Sequence, residues 1–568
     1  MASTPSTDRR EKTLERLHGR DEPAGPSPPN SEDSEVSHAA GDAQENDQNL
    51  TPGHLPFSKA RCIALVATLT GASFLNALSG QAVVIILPTI GHELNIPESR
   101  LQWIVSAYSL AFGCFLLLWG RVADIYGKRK IFVAGSAWFA ATTLANPFLP
   151  NEIPFDLFRG LQGLGAAASI PTAIGILGTT FPPSKAKNYA FSCYAAGAPL
   201  GAVFGNVLGG IIAEYVSWKW VFVVIALVGF AISAAGVFVI PPSKRASSDE
   251  ESQRPSIDWL GAFLVTVGLL ALLLALTEGN VVGWRTPWIS VVIVASVILV
   301  TLFVFWQHHL EKTGKRAPIM KVSTFGNPQF SAAMGIMTLF FSSFNGFLVY
   351  ATYFYQDYQG LSPLPTTLRF LPMGITGFIT AAIVSQLLAR VPTYLMLAFG
   401  NFCVSVAALL FAVPIPPDTT YWAWSFVAMV ISVFGADTTW PCLMLFTSHS
   451  LPPEDQALGG ALINAVGQVG RAIGLAVATA IQMSVMARER GVDVEAAGSV
   501  KVGDWPSLLG LRAAEWWNFG LGIGALLVVL VAFRGTGIVG KTGIAKPGDA
   551  ERLEQAADGP KNEHVTAN

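Results

Sequence analysis

Two ionisable residues stand inside long apolar runs. Asp437 lies in Val433-Phe434-Gly435-Ala436-Asp437-Thr438-Thr439-Trp440, and Arg471 lies in Gln468-Val469-Gly470-Arg471-Ala472-Ile473-Gly474. A carboxylate in low dielectric favours its neutral form, so it can take up and release a proton near neutral pH. Asp437 is therefore a candidate proton-coupling residue, with Arg471 tuning it or contacting a substrate. A static buried ion pair that orders two helices is the alternative. Arg159 and Gln162 sit in a third such run, Leu157-Phe158-Arg159-Gly160-Leu161-Gln162-Gly163. An arginine at the centre of a membrane helix costs roughly 2.5–3.5 kcal/mol on insertion scales. Either a partner, cavity or proton relay retains it, or it snorkels to the nearby interface.

Weaker polar signals accompany these. Asn76, Ser79 and Gln81 fall within one stretch, where they line a polar cavity or serve as local hydrogen-bonding groups. Asn345 stands among Phe340, Phe344, Phe347, Tyr350 and Tyr353. Phe340, Phe344 and Phe347 share a helix face by spacing, suited to stacking on flat organic molecules or to facing lipid. Gly197, Gly201, Gly205 and Gly209 recur every fourth residue, followed by Gly210. On a helix they form one stripe that lets a partner come close. Gly120-Arg121-Val122-Ala123-Asp124-Ile125-Tyr126-Gly127-Lys128-Arg129-Lys130 reads as a tight turn made by Gly120 and Gly127. Asp124 there can accept from a neighbouring helix N-terminus or pair with a basic residue.

The elements that must position these residues are membrane helices. The 568 residues are 51% hydrophobic and 13% charged, about half the ~25% charge of a soluble protein. Mean hydropathy is +0.47. Fourteen apolar runs are legible: 61–90, 102–120, 131–149, 155–177, 188–212, 219–240, 258–277, 288–306, 329–355, 366–389, 394–414, 421–446, 457–484 and 514–534. Each covers a ~30 Å hydrocarbon core at 1.5 Å per residue, and a lipid-exposed backbone must be helical. Asp437 is the one carboxylate these bounds place deep in the membrane. They contain no histidine, so no catalytic cluster forms at membrane depth and an enzyme is not expected. Net charge is −2, so nothing asks for nucleic acid, and the five cysteines show neither metal nor disulfide spacing.

Lys and Arg fix the direction. The loops after even-numbered runs hold fourteen: Arg121, Lys128, Arg129, Lys130, Lys185, Lys187, Lys244, Arg245, Arg254, Lys312, Lys315, Arg316, Lys321 and Arg390. The opposite short loops offer Arg100, Lys219 and Arg285, with Arg369 just inside run ten. A long loop at 485–513 adds Arg488, Arg490, Lys501 and Arg512. Both termini are expected in the cytosol. Asn49-Leu50-Thr51 fits the glycosylation pattern but falls on that side. The polar ends, 1–58 and 541–568, are too poor in apolar surface to fold and are expected to be disordered.

The Gly120–Lys130 stretch resembles the signature loop of the major facilitator superfamily, G-x-L-x-D-x-x-G-R-[RK]-[RK], with Val122 and Lys128 as departures. Arg159, Gln162 and Gly163 look like its R-x-x-Q-G motif. The glycine stripe resembles its antiporter motif, G-x-x-x-G-P-x-x-G-G, with Asn206 in place of the proline. Asp258-Trp259-Leu260-Gly261 looks like the fourteen-span drug:proton antiporter branch. The Asn76–Gly80 and Gly435–Pro441 stretches resemble its fungal aminotriazole-resistance and boron-exporter group. Many members have an acid where Ser79 stands, which shifts attention to Asp437.

The resemblance implies an all-α integral membrane protein with two six-helix bundles at 59–240 and 329–540. A linker at 241–257, two extra helices at 258–306 and a loop at 307–328 lie between them. It also implies that the Gly120, Arg121, Asp124, Gly127, Lys128, Arg129 motif locks one conformation. The function expected is export of a small drug, toxin or metabolite by proton antiport with alternating access. A proton-coupled importer, a borate exporter and a non-transporting sensor are the alternatives. No cofactor or metal is expected beyond the coupling proton. The expected partners are a small-molecule substrate and the lipid bilayer, with a monomer in the plasma membrane, or alternatively the vacuolar membrane.

Overall fold

The computed structural model describes residues 56–94, 96, 103–182, 184–242, 256–314 and 317–539. The expected disordered ends, the Asn49–Thr51 pattern and most of the 241–257 linker lie outside them. Fourteen long helices run through the described residues, numbered here in chain order. They are α1 (Lys59–Leu94), α2 (Trp103–Tyr126), α3 (Lys128–Ala145), α4 (Glu152–Thr180), α5 (Lys185–Tyr215), α6 (Trp218–Val239) and α7 (Trp259–Val282). Then follow α8 (Pro287–Thr313), α9 (Pro328–Tyr353), α10 (Pro363–Leu387), α11 (Thr393–Ala412), α12 (Ser425–Ser450), α13 (Gln456–Arg490) and α14 (Trp505–Ala532).

Polar residues set the helix starts. Ser184 accepts from the Lys187 N–H, Asn327 from Gln329 and Phe330, and Asp504 from Ser507, so donors orphaned at the first turn are satisfied. Asp258 does more. It caps α7 at the Gly261 N–H (3.0 Å) and accepts from Gln307 Nε2 (2.8 Å) and Trp306 Nε1 (3.0 Å), tying α7 to α8. Left-handed Gly314 and Gly491 end α8 and α13.

Among the described residues, thirteen helices are long and apolar enough to cross a membrane. The exception, α3, has Lys128, Arg129 and Lys130 among its 18 residues, and its chain turns at 146–148 rather than running on to 149. Phe238 and Val531 are each 80% exposed and Phe378 69%. Apolar surface of this kind, on helices from both halves, is covered by lipid.

The helices segregate into two groups. In the first, α1 packs on α5 and α6, α4 on α2 and α3, and α3 on α6. In the second, α9 packs on α13 and α14, α11 on α12 and α14, and α10 on α12. The groups meet through α5 against α10, and through α13 against α2 and α4. The extra helix α7 packs on α8 and lies against both α2 and α13.

Several helices outrun their apolar cores. His308 and His309 fall on α8 and His449 on α12, correcting the expectation of histidine-free spans. The expected 485–513 loop shrinks to 491–504, because α13 continues through Arg488 and Arg490 and α14 begins before Arg512. Arg490 pairs with Asp504, whose carboxyl is held below the usual carboxylate range by hydrogen bonds from Ser507 and Arg490.

Candidate functional site

At the Lys- and Arg-rich end, hereafter the basic end, the two groups are locked together. Asp124 sits in the last turn of α2 and caps α13 from the other group. Its carboxylate accepts the N–H groups of Ala457 (3.1 Å) and Leu458 (2.8 Å), where the helix dipole is positive. Lys128 Nζ lies 2.8 Å from the same carboxylate. Arg121 donates to Asp455 at 2.8 Å, and Lys321 approaches that residue to 3.3 Å. Both options read for Asp124, a helix N-terminus and a basic partner, are therefore used.

Two residues of the motif act differently from expectation. Gly120 is inside α2 rather than in the turn. A Cβ there would stand 2.5 Å from Ala461 Cβ, so glycine permits the α2–α13 contact. The turn itself belongs to Gly127, at φ 105°. Arg129 turns away from the lock and donates to the Val237 carbonyl at the end of α6. The seal continues along α4, where Cβ atoms on Gly175 and Gly178 would meet Ala457 Cβ at 2.7 Å and Gln456 Oε1 at 2.2 Å.

A second polar group links α1, α2 and α4. Arg159 is fully buried and does not snorkel. It donates through Nε to the Ile104 carbonyl (2.9 Å), hydrogen-bonds Gln162, and stands over the Tyr108 ring at 4.8 Å. Gln162 donates to Ser79 at 2.9 Å, and the Tyr108 hydroxyl donates to Asn76. Arg159, Gln162, Asn76 and Ser79 thus form one network. Gln81 is exposed and joins no part of it.

Asp437 and Arg471 are not an ion pair. Asp437, 4% exposed, points Oδ2 towards α10, where a Cβ on Gly377 would lie 3.2 Å away, and that oxygen has no hydrogen-bond partner. One turn along α10, Gly374 faces Val203 of α5, so Asp437 borders the seam between the groups. Arg471 instead stacks over Phe341 at 4.3 Å, and Phe341 meets Trp440 edge-on at 5.3 Å. The pairing fails because each residue faces a different neighbour, α10 for Asp437 and α9 for Arg471. The aromatic run is mostly interior: Phe340 and Phe347 are buried, the latter against Phe411 at 5.5 Å, while Phe344 and Asn345 remain half-buried.

One carboxylate escaped the sequence reading. The fourteenth apolar run begins at 514, which puts Glu515 at its interfacial end. The helix starts at Trp505, so Glu515 is buried ten residues inside it, and Asp437 is not the sole deep carboxylate. The cap Asp504 and Pro506 at the helix start were the legible signals.

The glycine stripe is a seam with α1. Cβ atoms on Gly197, Gly201, Gly205 and Gly209 would meet the backbone oxygens of Thr70 (2.8 Å), Phe74 (2.1 Å), Leu78 (2.6 Å) and Ala82 (2.9 Å). Gly210 is outside this seam, its nearest neighbour being Ile85 at an ordinary 3.9 Å.

The Major Facilitator Superfamily model matches residues 69–475. A low affinity ammonium transporter of Saccharomyces cerevisiae is 30% identical over 83% of this chain and 87% of its own length. The efflux pump terJ of Aspergillus terreus is 27% identical over 88% of this chain and 94% of that protein. Among solved structures, the human organic anion transporter MFSD10 superposes with a TM-score of 0.58 at 14% identity, covering 82% of this chain and 99% of that one. These relatives are transporters rather than enzymes. With two helical groups, a lock joining them at one end and a family match over most of its length, the chain belongs to the Major Facilitator Superfamily and is a multi-pass membrane transporter.

Proposed function

We propose that the protein exports small organic compounds by proton antiport, with the two helical groups rocking about a central site. The observation that carries this is Asp437: a buried carboxylate at the seam, with an unpartnered oxygen and no ion pair among the described residues. A proton neutralises it in one state, and exposure in the other releases that proton. Relatives named as efflux pumps favour export. The stacked Arg471, Phe341 and Trp440 offer a surface for a flat substrate. The basic end faces the cytosol, so both termini are cytosolic, and the protein works as a monomer in the plasma membrane. The proton is the coupling ion and no bound cofactor takes part. A second reading, transport of a small cation, is favoured by the name of the yeast relative.

The test uses inside-out vesicles, a panel of labelled drugs and ammonium. An acid lumen should drive accumulation of at least one drug, and a protonophore should abolish it. Asp437→Asn should slow the gradient-driven rate about tenfold, equivalent to ~1.4 kcal/mol. Uptake into right-side-out vesicles driven by outside acid would reverse the direction. Accumulation of ammonium alone would replace the substrate class.

A further inference from the structure

We propose that Glu515 and Asn518 form a second proton-binding site, separate from Asp437 and contained within the C-terminal helical group. Both side chains lie on α14 facing the junction of α9, α13 and α14, and they are 2% and 0% exposed. Asn518 Nδ2 donates to Glu515 Oε2 at 3.1 Å. That leaves two buried oxygens without a donor, Glu515 Oε1 and Asn518 Oδ1. Two orphaned acceptors on adjoining groups are a specific deficit, because each costs its full desolvation.

One proton removes both deficits. Placed on Glu515 Oε1, it turns that acceptor into a donor, and the neighbouring Asn518 Oδ1 is the acceptor that lacks one. The result is a closed acid–amide pair: acid O–H to amide oxygen, amide N–H to acid oxygen. The proton comes from water and returns to water, with no covalent chemistry.

The surroundings supply no competing charge. No ion pair among the described residues includes Glu515. On α9, Tyr350 is the titratable group beside it, in edge contact with Tyr353 at 5.7 Å, and its hydroxyl hydrogen-bonds Thr479 of α13 at 3.2 Å. Farther along, α13 presents Gln482 and α11 presents Ser405, both uncharged. The frame is built for the pair. Ser343 Oγ donates to the backbone carbonyl of Asn518 at 2.7 Å, and Gly346 leaves room for its side-chain amide, since a Cβ there would stand 2.2 Å from Oδ1. Thr479 is half-buried, which gives the cluster an edge towards less tightly packed surroundings.

This deepens the proton-antiport reading and rests on it only for the use made of the proton. The experiment therefore needs no substrate. Infrared spectra of the purified full chain are recorded through a titration from about pH 5 to 9. The wild type should show a protonated carboxylic C=O band that Glu515→Gln removes and Asp437→Asn leaves in place. Glutamine reproduces the neutral acid's hydrogen bonds, so that variant should fold. Asn518→Ala, with Glu515 intact, should move the same band to higher frequency as the acid loses its acceptor. Identical bands in wild type and Glu515→Gln, or a band unmoved by Asn518→Ala, would overturn the site, whether or not transport proves to be proton-driven.

Discussion

An Asp124→Ala protein should expose the basic-end gate about 30-fold more often than the wild type, a shift of ~2 kcal/mol. The readout is labelling of Thr447→Cys by a membrane-impermeant thiol reagent. Thr447 is 2% exposed and lines a small cavity with Ile174 of α4 and Gly460 of α13, where the two groups meet. The background carries Cys193→Ser, because Cys193 is the exposed native thiol while the other four are buried.

The size follows from what Asp124 holds. Two N–H groups at the start of α13 and the Lys128 ammonium converge on one carboxylate. Alanine leaves all three without that acceptor while the gate is shut, and water can reach them once it opens. Closure therefore loses stability that opening does not. The Arg121–Asp455 pair at 2.8 Å remains, which keeps the shift finite. Arg129→Ala supplies the contrast. Its guanidinium binds the Val237 carbonyl inside the first group, so labelling should stay at the wild-type rate despite the loss of a motif charge. Equal labelling in Asp124→Ala and wild type would mean that the contact does not hold the gate.

The helices themselves were legible because lipid leaves a spanning backbone almost no alternative, so apolar length alone marks them. Their ends were less so. Terminal turns such as Trp505–Arg512, interrupted by Pro506, Ser507, Gly510 and Arg512, do not read as a continuous apolar run, yet they continue the helix, and that hides Glu515. The role of Asp124 could be stated from its loop, but its partners could not, since Ala457 and Leu458 lie 333 and 334 positions away. The sequence cannot tell whether Gly120 makes a turn or a close contact, because glycine serves both, and only the position of Ala461 separates the two. Asp437 and Arg471 each read as deep. A 3.6-residue period does not say which neighbour a residue meets when a helix is packed on several sides, so their pairing was beyond reach.

Gly201→Ala should cost about 3 kcal/mol and lower the thermal unfolding midpoint in detergent by several degrees, whereas Gly210→Ala should leave it unchanged. The two substitutions add the same methyl group to the same helix nine residues apart. At 201 the new Cβ would stand 2.1 Å from the Phe74 carbonyl oxygen, far inside contact distance, and the obstacle is backbone. No side-chain rotation relieves it, so α1 and α5 must part by more than 1 Å along a seam that Gly197, Gly205 and Gly209 also hold closed. At 210 the nearest atom is a methyl group 3.9 Å away. Parting α1 from α5 has a further consequence, because α1 carries Asn76 and Ser79, which bind Tyr108 and Gln162. The polar network around Arg159 would lose its register, so transport should fall together with stability in Gly201→Ala and with neither in Gly210→Ala. An unchanged midpoint in Gly201→Ala would show that the seam is looser than drawn. Packing accounts for four of the five glycines, so the stripe explains how closely α1 and α5 approach without itself encoding a direction of transport.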